Sequence, residues 1–266
     1  MTKPVLLTHD EVKQTIEIAI LAGRIMLENG AETYRVEETI GRICRSKDIA
    51  VENFTIPTGI FLSAYYNETY YPYVIRTKSM TIDLEIIAKV NAFSREFVQD
   101  DMSLDLAHET LIDIKETPHF PELVVNIFGG VAGGFFTLCF GGGLLEAFFA
   151  FITSYVVVGL VNALAKHTGG FVRNIVGGMA NTIIAIVLVK LGHLVNAETA
   201  LSNIVIGSLM PLVPGVAMTN AFRDSISGDY VSGVSKLMEA ILRAIAIAIG
   251  VGVVLHLKVL WTGSVI

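Results

Sequence analysis

Five long apolar stretches in the C-terminal half constrain this chain more than any other feature: Leu123 to Phe140, Leu144 to Leu164, Val172 to Leu191, Leu201 to Ala217 and Ala240 to Leu257. A bilayer core about 30 Å thick takes roughly 20 apolar residues per helix, because lipid offers the backbone no hydrogen-bond partner. A soluble core could hide one or two such runs, but it has no interior for five. Charge divides the same way. Residues 1–122 carry 12 basic and 20 acidic side chains, net −8, whereas residues 123–266 carry 7 and 5, net +2. Only 17% of all residues are charged, against about 25% in an ordinary soluble domain. The expected fold class is therefore membrane α-helical, with five transmembrane helices in residues 121–266, preceded by a cytosolic α+β domain in residues 1–120.

Met1 to Asp10 is polar and lacks the basic-then-apolar pattern of a cleaved signal peptide, so nothing is expected to export the first domain. Lys and Arg bias sets the orientation. With the N-terminus inside, the inner loops hold Lys166, Arg173, Arg223, Lys236 and Arg243, and the outer segments hold Lys190 and Lys258. This bias points to a multi-pass membrane protein, N-terminus cytosolic and C-terminus outside, with Trp261 as an interfacial anchor. Cys44 and Cys139 indicate no disulfide framework and read as small buried thiols.

Within the first domain, Thr8 and Glu11 form a capping-box pattern, and Val12, Ile16, Ala19, Ile20, Gly23 and Leu27 recur at helical spacing, predicting a helix from His9 to Glu28. Asn29-Gly30 ends it. A second amphipathic helix is expected from Glu32 to Lys47, with Arg35, Glu38, Arg42 and Arg45 on a solvated face. Short β-prone runs between Ile49 and Ile75, separated by Pro57, Gly59, Asn67 and Pro72, predict three strands. Helical patterns from Leu84 to Val98 and Leu104 to Ile114 complete the domain, which ends at Pro118 and Pro121. In the membrane block, Gly129-Gly130, Gly133-Gly134, Gly141 to Gly143 and Gly177-Gly178 read as points of close helix approach.

The chemistry is sparse. There is no metal-ligand cluster, nucleotide-phosphate loop or nucleic-acid signature, and His9, His108, His119, His167, His193 and His256 are scattered. No catalytic residue is assigned, because Ser63, with Thr58 beside it, has no base that spacing can show. The strongest polar feature is Pro211-Leu-Val-Pro214-Gly215, a double proline break, followed by Asn220, Arg223 and Asp224 at helical spacing and by Gly228-Asp229. A half-helix end there is a place to hold a small charged substrate; an ordinary cytosolic turn with a surface ion pair is an equal alternative. Glu239 and Arg243 are spaced for an ion pair, with snorkelling and a transport role equally open. Glu146, Asn126, Asn162, Asn181 and Asn203 are expected as interhelical hydrogen-bonding groups.

Gly30-Ala-Glu-Thr-Tyr-Arg-Val-Glu37, Pro57-Thr-Gly-Ile-Phe61 and Pro211-Leu-Val-Pro-Gly215 with Asn220-Ala-Phe-Arg-Asp224 and Gly228-Asp229 together resemble the threonine/serine exporter family, in the same order and over nearly the whole chain. The resemblance implies a carrier of an inner or organellar membrane that moves small amino acids or dicarboxylates outward, without a cofactor. Its motif positions carry over as Gly30, Glu32, Arg35, Glu37, Pro57 and Gly59 in the domain, and as Pro211, Pro214, Gly215, Asn220, Arg223, Asp224 and Asp229 in the membrane block. Single-chain members continue into a second membrane half. A five-span chain therefore resembles the larger subunit of the split version, associated with succinate export, whose partner is a small four-span membrane subunit. Self-association through Gly129 to Gly134 and Gly177 to Gly178 is the other route to a second half. The rival class is a membrane-tethered enzyme with a hydrolase-like cytosolic domain, in which Glu32, Arg35 and Glu37 share about one helical turn.

Overall fold

The computed structural model describes residues 6–77, 81–100, 102–118, 120–165, 167–194 and 199–262. Lys166 and His119 lie outside the described residues. The chain packs as two compact units, one formed by Met1–Pro118 with Val216–Leu237, the other by His119–Gly215 with Met238–Ile266.

In the first unit, α1 (His9–Glu28) starts at the Thr8–Glu11 capping box and buries eleven residues, among them Ile16, Ile25, Met26 and Leu27. The predicted bounds of this helix are the observed ones. Next comes α2 (Thr33–Arg45), which buries Val36, Ile40 and Ile43 in the same core. Its Arg42 is not simply solvated, since it donates to Ser94 Oγ at 3.0 Å. Strands β1 (Ala50–Ile56), β2 (Gly59–Tyr66) and β3 (Thr69–Arg76) form an antiparallel sheet in the order β1-β2-β3. Asn67 and Glu68 join β2 to β3, both at positive φ, as the two central residues of a tight hairpin turn must be to follow the twist of the strands. Helix α3 (Leu84–Gln99) is capped by Asp83 and α4 (Leu104–Lys115) by Ser103. Phe93 and Leu111 complete the core; burying each such side chain contributes about 1.5–3 kcal/mol.

The second unit contains α5 (Glu122–Cys139), α6 (Leu144–Leu164), α7 (Gly170–Leu194) and α8 (Leu201–Leu209), which runs into a 3-10 turn at Met210–Leu212. Two helices straddle the division between the units: α9 (Gly215–Ile226) starts at its edge, and α10 (Tyr230–Thr262) gives its first turns to the first unit and the rest to the second. Among the described residues, four helices are long and apolar enough to cross a membrane, or five if the broken pair Leu201–Leu212 and Gly215–Ile226 counts as one span. The expected fourth stretch is thus interrupted at Val213-Pro214. The last helix begins ten residues before the expected Ala240, and Ser232 and Lys236 of its first turns are buried rather than solvated.

Glycines set the helix spacing. A Cβ at Gly134 would stand 2.9 Å from Ala147 O on α6, one at Gly129 2.8 Å from Val158, and one at Gly178 2.6 Å from Ile247 O on α10. Gly177 meets Val161 of α6 in the same way, at 2.9 Å. These glycines are points of close helix approach within the chain, as their spacing predicted. Glu146 accepts from Gly143 N at 2.7 Å and Asn203 Nδ2 at 3.1 Å, and also takes the Ala200 N–H, so it ties the start of α6 to the start of α8. Asn181 donates to Val205 O across helices, as expected of it. Cys44 is buried, and burial pushes its thiol up to about 12; Cys139, expected to be buried, is exposed.

Candidate functional site

The sharp reversal after α1 creates the site. Gly30 has φ +84, and a Cβ there would also press on Thr81 O at 3.0 Å, so the position requires glycine. The chain then runs through Ala31 and Glu32 into the N-terminus of α2, and this segment receives α9 and the first turns of α10. Asn220 Nδ2 donates to Gly30 O at 2.9 Å. Thr33 N donates to Asp224 Oδ1 at 3.3 Å, and Thr33 Oγ1 donates to Asp229 Oδ2 at 2.9 Å. Lys236 Nζ lies 2.7 Å from Asp224 Oδ2 and donates to Ala31 O at 3.1 Å. Glu32, the residue before α2, gives that helix no side-chain cap. Asp224 takes the role from across the fold, placing negative charge where free N–H groups and the helix dipole favour it.

The charged groups fall into two kinds. Asp224 is fully buried and Lys236 only 4% exposed, so this pair is sealed inside the unit. Arg223, by contrast, pairs with Glu32 while keeping 47% of its side chain exposed. The other oxygen of Glu32 lies 3.3 Å from Arg35 Nε, and Arg35 is 40% exposed. Glu37 points to the sheet, where it accepts from Thr55 N at 2.7 Å. Burial pushes its carboxyl above the usual range, the Thr55 N–H pulls it back, and the negative charges of Asp229 and Asp224 raise it further.

Gly30, Glu32, Asn220, Arg223, Asp224 and Asp229 therefore meet in one polar cluster, with Arg35 on Glu32 and Glu37 electrostatically coupled to the two aspartates. Pro57 and Gly59 shape the β1–β2 hairpin instead: Pro57-Thr58 is its two-residue turn, and a Cβ on Gly59 would meet Ile75 O at 2.6 Å. Pro211 lies in the 3-10 turn, and Pro214 and Gly215 mark the restart of helix at α9. Glu239 and Arg243 form their own pair on α10 at 2.5 Å. Among the described residues, no group of three or more His, Cys, Asp or Glu is placed to hold a metal ion.

Sequence reasoning missed two members. Lys236 entered only as a count of positive charge, and Thr33 only inside the Gly30 to Glu37 motif, without a role of its own. The signal for Lys236 was its spacing, four residues from both Ser232 and Ala240, a face of α10 that is otherwise small and buried.

Residues 17–258 match the ThrE family, described as "Putative threonine/serine exporter". The chain belongs to this family. It is 23% identical over 259 residues to the "Threonine/serine exporter" of Corynebacterium glutamicum, covering 94% of this chain and 52% of that protein. It is 20% identical over 246 residues to the "Probable threonine/serine exporter" of Mycobacterium tuberculosis (strain ATCC 25618 / H37Rv), covering 90% and 45% respectively. The chain thus spans about half the length of the curated relatives it matches. No solved structure matches. Family membership and the apolar helices together make it a multi-pass membrane protein.

Proposed function

We propose that this chain is part of a secondary transporter that exports small carboxylate-bearing metabolites across a cell inner membrane, with Arg223 as the carboxylate partner. The observation that carries the reading is the contrast between neighbours: Asp224 is sealed against Lys236, whereas the Arg223 side chain stays nearly half exposed. An arginine fork matches a carboxylate with two parallel hydrogen bonds. Asp224 and Asp229 act as orientation partners, because both hold the start of α2 through Thr33. Threonine and serine, named in the relatives, are the first substrates to test, and dicarboxylates such as succinate the second. A second membrane half completes the carrier, supplied by a small four-span subunit, by further chain or by another copy, since the chain spans half of its relatives.

The test is efflux of threonine, serine and succinate from proteoliposomes, with and without such a subunit. Arg223→Ala should bring flux to background while the protein still inserts and folds. Normal export by Arg223→Ala would remove the assignment.

A further inference from the structure

The carboxylate that Arg223 holds belongs to the protein itself. Glu32 gives one oxygen to Arg223 and the other to Arg35, so a single carboxylate stands between two guanidiniums and the trio carries one positive charge in excess. Its own side chain is 8% exposed, whereas Arg35 and Arg223 are 40% and 47% exposed and open to an incoming anion. We propose that Glu32 is a resident competitor: it occupies the Arg223 guanidinium until a substrate carboxylate takes its place, and it is then retained by Arg35. This inference rests on Arg223 being the carboxylate partner.

Two physical points support the exchange. Replacing one carboxylate on a guanidinium by another conserves the type and number of hydrogen bonds, so no donor is left unpaired. A buried carboxylate stripped of its cation is strongly unfavourable, and Arg35 on the second oxygen prevents that when Arg223 turns to substrate. Arg35 is thereby a positioning residue, which acts by giving Glu32 somewhere to remain.

The experiment is calorimetric titration of the solubilised full chain with succinate and with L-threonine. Glu32→Gln should tighten binding by roughly three- to tenfold, the size of an interaction between partly exposed charges. Arg35→Gln should weaken binding by a similar factor, because Glu32 then has Arg223 as its only cation. The double variant Glu32→Gln/Arg35→Gln should bind like Glu32→Gln, a rescue that a merely structural role for Arg35 would not produce. Should Glu32→Gln fail to fold, Glu32→Asp keeps the charge, shortens the reach and is expected to move affinity the same way. Binding lost in Arg223→Gln but not tightened in either Glu32 variant overturns the competitor and leaves the Arg223 assignment standing. Wild-type affinity in Arg223→Gln, or no binding of either probe to any variant, removes both.

Discussion

At the residue scale, the sealed Asp224–Lys236 pair and the half-buried Glu37 carry the sharpest expectations. Removing one partner of a buried ion pair leaves an uncompensated charge, at a cost of about 3–5 kcal/mol. Lys236→Met should therefore lower stability by that order in denaturant unfolding of the solubilised protein, while Asp224→Leu/Lys236→Met should regain much of it. Equal losses in the single and double variants would show that the charges are not what matters. For Glu37 the folded-state carboxyl is raised, chiefly by burial, so its protonated form favours the folded unit. That contribution is complete below the ordinary carboxylate range and is lost as pH rises through the raised value. Wild type should lose stability relative to Glu37→Gln across this window, with Asp224 and Asp229 common to both; parallel curves would contradict it. None of these pairings was legible in the sequence. Arg223 and Asp224 were visible as polar residues after a proline break, but Glu32 and Thr33 stand 191 residues from them and Lys236 lies on another helix, and spacing reports only neighbours on one element.

At the scale of elements, sequence periodicity was a good guide wherever burial followed a single rule. Helices α1 and α6 begin and end at the residues expected, since a capping box starts the one, tight glycine turns precede the other, and each has an unbroken pattern to its end. The three strands were likewise marked by their turn residues. Reading failed at α10, where Lys236 in a helical run resembles an exposed loop unless its buried partner is known. The interhelical glycines offer a controlled test. Gly178→Ala should cost about 1–3 kcal/mol through overpacking against Ile247 O. Gly252→Ala, on α10 with nothing within 4 Å of the added carbon, should be near neutral. Thermal unfolding of the two variants side by side checks this, and equal shifts would contradict the close approach of α7 and α10.

For the whole molecule, the orientation rests on the basic residues of the inner loops. With Cys44 and Cys139 replaced by serine, a cysteine at Ser264, outside the described residues, should react with an impermeant reagent from the outer face. Reaction from the cytosolic face alone would reverse the proposed topology. The discontinuity of the first unit has a consequence in time. Synthesis adds about 5–20 residues per second, so the stretch from Pro118 to Leu237 takes roughly 6 to 24 seconds to appear. Through that interval the emerging polypeptide has made α1 to α4 but not the wedge of residues 216–237 that closes over Gly30, Glu32 and Thr33. Three long apolar helices, α5 to α7, are therefore synthesised before the first-made domain can finish folding.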